Sequence, residues 1–211
     1  YTQGAGNCTL TAKWTPIIYT VTYDANGGSG APGRQEKYHG IDITLSTSKP
    51  TKPGYTFTEW NTRADGSGTG YAPGDSYTAN ASVTLYAQWE AAIEISIITP
   101  NAAYGADTEV ITSFLISNNS GQHILPSDGI KVSFTVTKST GTIATLSKSE
   151  VVIPAGETNM VWFKWTVPAS VPSSLHLACT VSDAGGNVLD LDERSWHTGK
   201  AENYQTPDTV F

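Results

Sequence analysis

The sequence predicts a mainly β protein built as two consecutive units, and three observations carry that prediction. Short runs rich in Thr, Val, Ile, Tyr and Trp alternate between clusters of Gly, Pro and Asp, the pattern of strands joined by turns. No stretch has the length and 3.6-residue period of a long helix. The line T-L-x-A-x-W is written twice at identical spacing, at Thr9–Trp14 and Thr84–Trp89, and then not again. Charge also divides unevenly. Residues 1–90 carry six basic and seven acidic side chains, whereas residues 91–211 carry six basic and twelve acidic.

Bulk properties bound the function. Hydrophobic residues at 38%, with six Trp and ten Tyr, supply enough apolar mass for a folded core in 211 residues. The net charge of −7, without a basic cluster, argues against a nucleic-acid partner, because phosphate neutralisation needs concentrated Lys and Arg. No apolar run approaches bilayer length. With no starting Met, leader or sorting signal, the chain reads as an excised piece of something longer.

Alternation places Cys8, Leu10, Ala12 and Trp14 on one strand face, and Val83, Leu85, Ala87 and Trp89 on the corresponding later face. Residues 1–14 are therefore expected to be the last strand of a preceding, truncated copy, with a complete unit over 15–90. Within it, "YTVTYDANGG" alternates and turns at Asn26-Gly27-Gly28. "IDITLS" forms a further run, "PGYTFTEWNT" opens after Pro53-Gly54, and "ADGSGTGY" is a Gly-rich turn before "SVTLYAQW" closes the unit. Tyr55, Phe57, Trp60 and Trp89 read as core, since a small unit needs its bulky residues inside. The Gly-rich loops lack both the Lys-Ser/Thr of a phosphate loop and the carboxylate density of a calcium loop.

At these motifs the chain resembles the Listeria–Bacteroides repeat, also called the internalin-type B repeat. The resemblance covers nearly all of residues 17–90. It implies a small β-grasp-like module, commonly in tandem, in secreted or wall-attached bacterial proteins. Glu59 departs from it, standing where that family usually has a small residue before the Trp.

Residues 91–198 change pattern. About seven short strands with turn signals between them argue for an immunoglobulin-like β-sandwich, though without the Cys…Trp…Cys of antibody domains. Asn118-Asn119-Ser120-Gly121, "IPAGE" at Ile153–Glu157, "VWFKWTVPA" and "VSDAGGNVLDLDE" together resemble a CARDB-type bacterial Ig-like domain. Arg194-Ser195 stands where that family usually has Asn-Asn. Residues 199–211 read as a linker or tail.

Three features stand out as candidate sites. In "MVWFKWTV" the alternation turns Val161, Phe163, Trp165 and Val167 inward, leaving Trp162 outward beside Met160. An outward Trp marks either a contact surface or a cover over a domain junction. Trp196 is a second candidate contact aromatic. In "VLDLDE", Leu189 and Leu191 are expected inward and Asp190 and Asp192 outward. With Asp183 or Glu193 these carboxylates are a candidate cation site, read against a solvated acidic edge that resists strand pairing.

His39, His123, His176 and His197 are scattered without metal-ligand spacing, and no nucleophile elbow is present. No catalytic, metal or cofactor residues are therefore assigned, and no cofactor is expected. Cys8 and Cys179 both fall on apolar faces and read as small buried hydrophobes. An intramolecular Lys–Asn staple is not expected, because Lys131 and Lys164 turn away from the apolar face.

The functional expectation is a non-catalytic structural or adhesion module of a secreted or wall-attached bacterial surface protein. Its expected partners are a protein or glycan at a cell surface and neighbouring domains of the same chain. The alternative is a carbohydrate-binding accessory module of a secreted glycan-active protein.

Overall fold

The computed structural model describes residues 11–98, 105–170 and 174–197. Among them the secondary structure is strand, apart from one 3-10 turn at Pro126–Asp128. The mainly β fold class read from the sequence holds. The chain forms two compact units that interleave in sequence. The first comprises Tyr1–Asn26, Gly30–Pro50 and Glu59–Gln88. The second comprises Gly27–Ser29, Thr51–Thr58 and Trp89–Phe211.

The first seven strands are β1 (Ile18–Asp24), β2 (Gln35–Tyr38), β3 (Ile43–Thr44), β4 (Tyr55–Asn61), β5 (Gly70–Tyr71), β6 (Ser76–Tyr77) and β7 (Val83–Ala91). They build a five-stranded sheet in the order β2-β1-β7-β4-β5 and a two-stranded ribbon of β3 and β6. β1 and β7 run parallel, with Val21 opposite Val83 and Tyr23 opposite Leu85. Parallel neighbours cannot be joined by a hairpin, so the intervening strands are the crossover.

The core of the first unit is Val21, Leu45, Trp60, Tyr77, Leu85 and Ala87, all buried. Tyr23 meets Trp60 edge-on at 4.8 Å between ring centroids. Asn26, at φ 48°, makes the left-handed turn after β1 and donates its amide to the carbonyls of Ala64 and Ala87. Asn tolerates this backbone better than other non-Gly residues.

Lys37 is fully buried in this unit, with Nζ 2.9 Å from Asn80 Oδ1 and 3.4 Å from the Tyr38 carbonyl. Nothing in "RQEKYHG" alternates, so no pattern in the residues marks Lys37 as buried. Lys131 and Lys164, by contrast, are exposed.

The expected inward face of residues 1–14 is only partly within the described residues; Cys8 and Leu10 lie outside them. Residues 11–17 form no strand, and Trp14 is 89% exposed rather than packed. Among the described residues no strand pairs with this segment, so its alternation has no sheet to bury against.

The second unit contains β8 (Ile93–Ile98), β9 (Glu109–Asn118), β10 (Lys131–Lys138), β11 (Gly141–Lys148), β12 (Thr158–Thr166), β13 (Ser174–Ser182) and β14 (Val188–His197). Two sheets, β12-β9-β8 and β11-β10-β13-β14, hold between them a core in which Phe114, Phe134 and Phe163 lie 5.0–5.8 Å apart. This is the sandwich that the seven-strand pattern predicted. Trp165 is buried and satisfies its indole N–H by donating to Thr112 Oγ1 at 3.0 Å.

Two quoted motifs prove to be halves of one feature. Asn118 is fully buried; its Nδ2 donates to the carbonyls of Gln122 and Ile153, while its Oδ1 accepts from the backbone and hydroxyl of Ser120. Its main chain bonds Glu157 and Gly156. Asn-Asn-Ser-Gly and "IPAGE" are thus clasped by one side chain, as a buried amide demands. Cys179 is buried, and its thiol is pushed up to about 12 by burial first and the Asp192 charge second, as befits an inert core residue.

Candidate functional site

The outward face of β12, β9 and β8 carries the principal candidate surface. Strand pairing sets its rows. Met160 stands opposite Leu115, which stands opposite Ser96; Trp162 opposite Ser113, opposite Ile98; Lys164 opposite Ile111. Met160 is 60% and Trp162 49% exposed, and Ile98, Ile111 and Leu115 are exposed beside them. The alternation is unbroken along β12, so the sequence placed Trp162 and Met160 correctly outward.

One face of the Trp162 indole is taken by Lys148, whose Nζ sits 4.4 Å above the ring centre. This cation–π contact orients the indole at the surface. Lys164 pairs with Glu109 at 2.6 Å, both side chains more than half exposed, so that pair contributes little to stability. Five exposed apolar residues, interspersed with Ser96, Ser113 and Lys164, share this face, and clustered exposed apolar residues are a feature of contact surfaces.

Trp196 does not belong to this face. It packs edge-on against Trp165, 6.4 Å between ring centroids, at the margin of the core. The two candidate aromatics therefore do not form a shared platform.

The acidic strip is also arranged differently from the expectation. β13 and β14 pair with a register shift at Val181/Ser182, where Asp190 faces Val181 but Val188 faces Ser182. Leu189 is the extra residue of this bulge, and the alternation beyond it slips by one. Asp190 and Asp192 consequently lie opposite the buried Val181 and Cys179 and point inward, while Leu191, expected inward, is 46% exposed.

The inward carboxylates are half-buried and hydrogen-bonded to main chain. Asp190 Oδ2 accepts the Ile95 backbone N–H, and Asp192 Oδ2 that of Ile97, both at 2.7 Å. Arg194 follows on the same face, 3.3 Å from Asp192. Glu193 points the other way, with its carboxylate 3.6 Å from His176 Nε2.

Asp183 is engaged elsewhere. It accepts from the Tyr55 hydroxyl at 2.7 Å, from the Asn187 amide, and from the backbone N–H groups of Gly185 and Asn187. Burial acts to raise its carboxyl, but these donors outweigh it and hold the group at about 2. Burial, and then the Asp183 contact, push the Tyr55 phenol well above its usual range. Asp183, Asp190, Asp192 and Glu193 are thus not brought together as a ligand set. Among the described residues no group of three or more His, Cys, Asp or Glu is placed to hold a metal ion. Nor is any described helix long and apolar enough to cross a membrane, a statement that leaves strand-built barrels aside.

Comparison with known proteins agrees with part of this reading. Residues 19–88 match the family model of the Listeria-Bacteroides repeat domain, and residues 99–191 match a Domain of unknown function (DUF8194). A protein of Evansella cellulosilytica, named as a Gly-rich membrane protein, is 42% identical over 94 residues, 43% of this chain and 11% of its own length. A second, named as a membrane protein of the same organism, is 41% identical over 87 residues, 39% of this chain and 13% of its own. The chain thus spans little more than a tenth of the curated relatives it matches.

Among solved structures, the sporulation control protein Spo0M of Bacillus subtilis is 17% identical, covering 52% of this chain and 50% of that one, with a TM-score of 0.39. A β-glucuronidase of Bacteroides uniformis is 14% identical, covering 52% and 15%, with a TM-score of 0.40. Likenesses at this level carry no functional conclusion. What the matches do establish is the order of parts: a Listeria-Bacteroides repeat domain at residues 19–88, followed by a domain of a family without assigned function.

Proposed function

We propose that this chain is a non-catalytic module of a bacterial surface protein, serving as a stalk and interaction region outside the cell. The observation that carries the reading is the Listeria-Bacteroides repeat at residues 19–88, joined to a second all-β domain. Relatives named as membrane proteins, several times longer than this chain, support a place within a large envelope-associated polypeptide. The CARDB-type resemblance of the Asn118–Gly121 and Ile153–Glu157 motifs supports an extracellular Ig-like role for the second domain.

The large side chains favour a non-catalytic role. Trp60, Trp165 and the three core Phe residues are committed to packing, and the carboxylates of the second unit to structural hydrogen bonds. The interaction region is the Met160–Trp162 face, and its partner a protein or glycan at a cell surface. Single exposed aromatics with an apolar surround suit a protein contact better than a sugar platform, which needs coplanar rings. The accessory carbohydrate-binding reading rests on Trp162 alone.

Protease shaving of intact cells making the full-length protein tests the location. An antibody against this region is expected to label whole cells and lose its signal after brief external trypsin. Labelling only after lysis would overturn the reading.

A further inference from the structure

We propose that the outer edge of β8, alongside which β14 runs, is a latent strand-pairing surface whose partner is β8 of a second copy, and that Asp190 and Asp192 hold it closed by fastening β14 over it. β8 reads Ile-Glu-Ile-Ser-Ile-Ile: four β-branched residues, one charge, no Pro and no bulge. Such a segment has the composition that templates edge-to-edge association. On one side it pairs with β9; on the other the sheet ends and β14 runs alongside without a backbone ladder.

What occupies that edge is a pair of carboxylates. The N–H groups of Ile95 and Ile97, two residues apart and directed alike, each find an aspartate oxygen at 2.7 Å. Acceptors at every second residue are what a neighbouring strand would offer. Asp190 and Asp192 imitate one from β14, and because they are charged the bonds are short and strong.

The same residues protect β14, itself a sheet edge, since inward-pointing charges are costly to carry into a new strand pair. One strip of side chains thus guards two edges. The bulge at Leu189 is what turns the carboxylates inward to do so.

The second copy is the partner that the β8 sequence fits. Antiparallel pairing centred on Ile95 sets Ile93 against Ile97 and Glu94 against Ser96, so no like charges face each other. Tandem or crowded copies at a cell surface would meet at high effective concentration, where an unguarded edge would be engaged. The latch itself does not depend on the functional reading above.

The test is Asp190→Ala/Asp192→Ala in the whole chain, read by residue-resolved hydrogen exchange and by sedimentation over a roughly hundredfold concentration range. We expect Ile95 and Ile97 amides to exchange at least about tenfold faster while Ile116 stays protected. Sedimentation should shift from the wild-type value to a concentration-dependent dimer. Asp190→Asn/Asp192→Asn, which keeps a carbonyl oxygen at each position, should sediment as wild type, as should Glu193→Ala on the opposite face. A double Ala variant that keeps Ile116 protected yet sediments as wild type overturns the proposal. If the double variant loses Ile116 protection, Asp192→Ala alone decides by the same two readings.

Discussion

Asp183 shows how much one side chain can organise. Four donors converge on its carboxylate: the Tyr55 hydroxyl, the Asn187 amide and two backbone N–H groups of the Asp183–Asn187 turn. The folded carboxyl lies at about 2, below its ordinary value near 4. A depressed carboxyl contributes stability that is fully present above the unfolded value and is lost as pH falls through the folded one. Thermal unfolding of the wild type should therefore weaken between about pH 4 and pH 2 in part through this group. Asp183→Ala should lower stability at pH 6 by about 1–2 kcal/mol and flatten that portion of the acid limb. An acid limb identical to wild type would contradict the assignment. The sequence marked Asp183 as a possible cation ligand; the turn "DAGGN" beside it was the better clue, since Asp with a following Gly-Gly-Asn is the chemistry of a self-bonded loop.

At the scale of strands and motifs, legibility followed unbroken alternation. β12 keeps strict period two through Val161, Phe163 and Trp165, so its outward Met160 and Trp162 could be read directly. β14 does not, and the residue pattern "VLDLDE" looks the same with or without an extra residue in the ladder. The bulge is fixed by pairing to β13, which no local pattern records, and it inverted the assignment of Leu191, Asp190 and Asp192. Trp196 was misjudged for a similar reason: it lies beyond the bulge, opposite the buried Leu175. Asn118 lay between these extremes, flagged within a motif but without a role. Its clasp of Ile153 and Gln122 makes a specific claim. Asn118→Ala takes the acceptor away from the buried Ser120 N–H and hydroxyl, removes one donor each from the Gln122 and Ile153 carbonyls, and should cost about 2–3 kcal/mol in denaturant unfolding. A loss under about 0.5 kcal/mol would mean the clasp contributes little.

Across the whole molecule, the repeat was legible because its turns and aromatic positions recur in the family whose model matches residues 19–88. The second domain was legible as a sandwich but not as a family, since alternating strands specify architecture far more strongly than lineage. Buried Lys37 escaped notice altogether, because a lysine's long stem can enter a core without any hydrophobic signature. The division of labour is consistent throughout. Large rings pack the core of each unit, hydrogen-bonded carboxylates tie strands and a turn of the second, and the exposed Met160–Trp162 face is the surface proposed for a partner. The measurement that tests this most directly compares binding of the wild type and Met160→Ser/Trp162→Ser to immobilised cell-surface protein and glycan panels, with unfolding followed in parallel. The account predicts specific binding to a surface component that falls at least about tenfold in the double variant while the unfolding midpoint stays within a few degrees. Binding of equal strength by both proteins would contradict it.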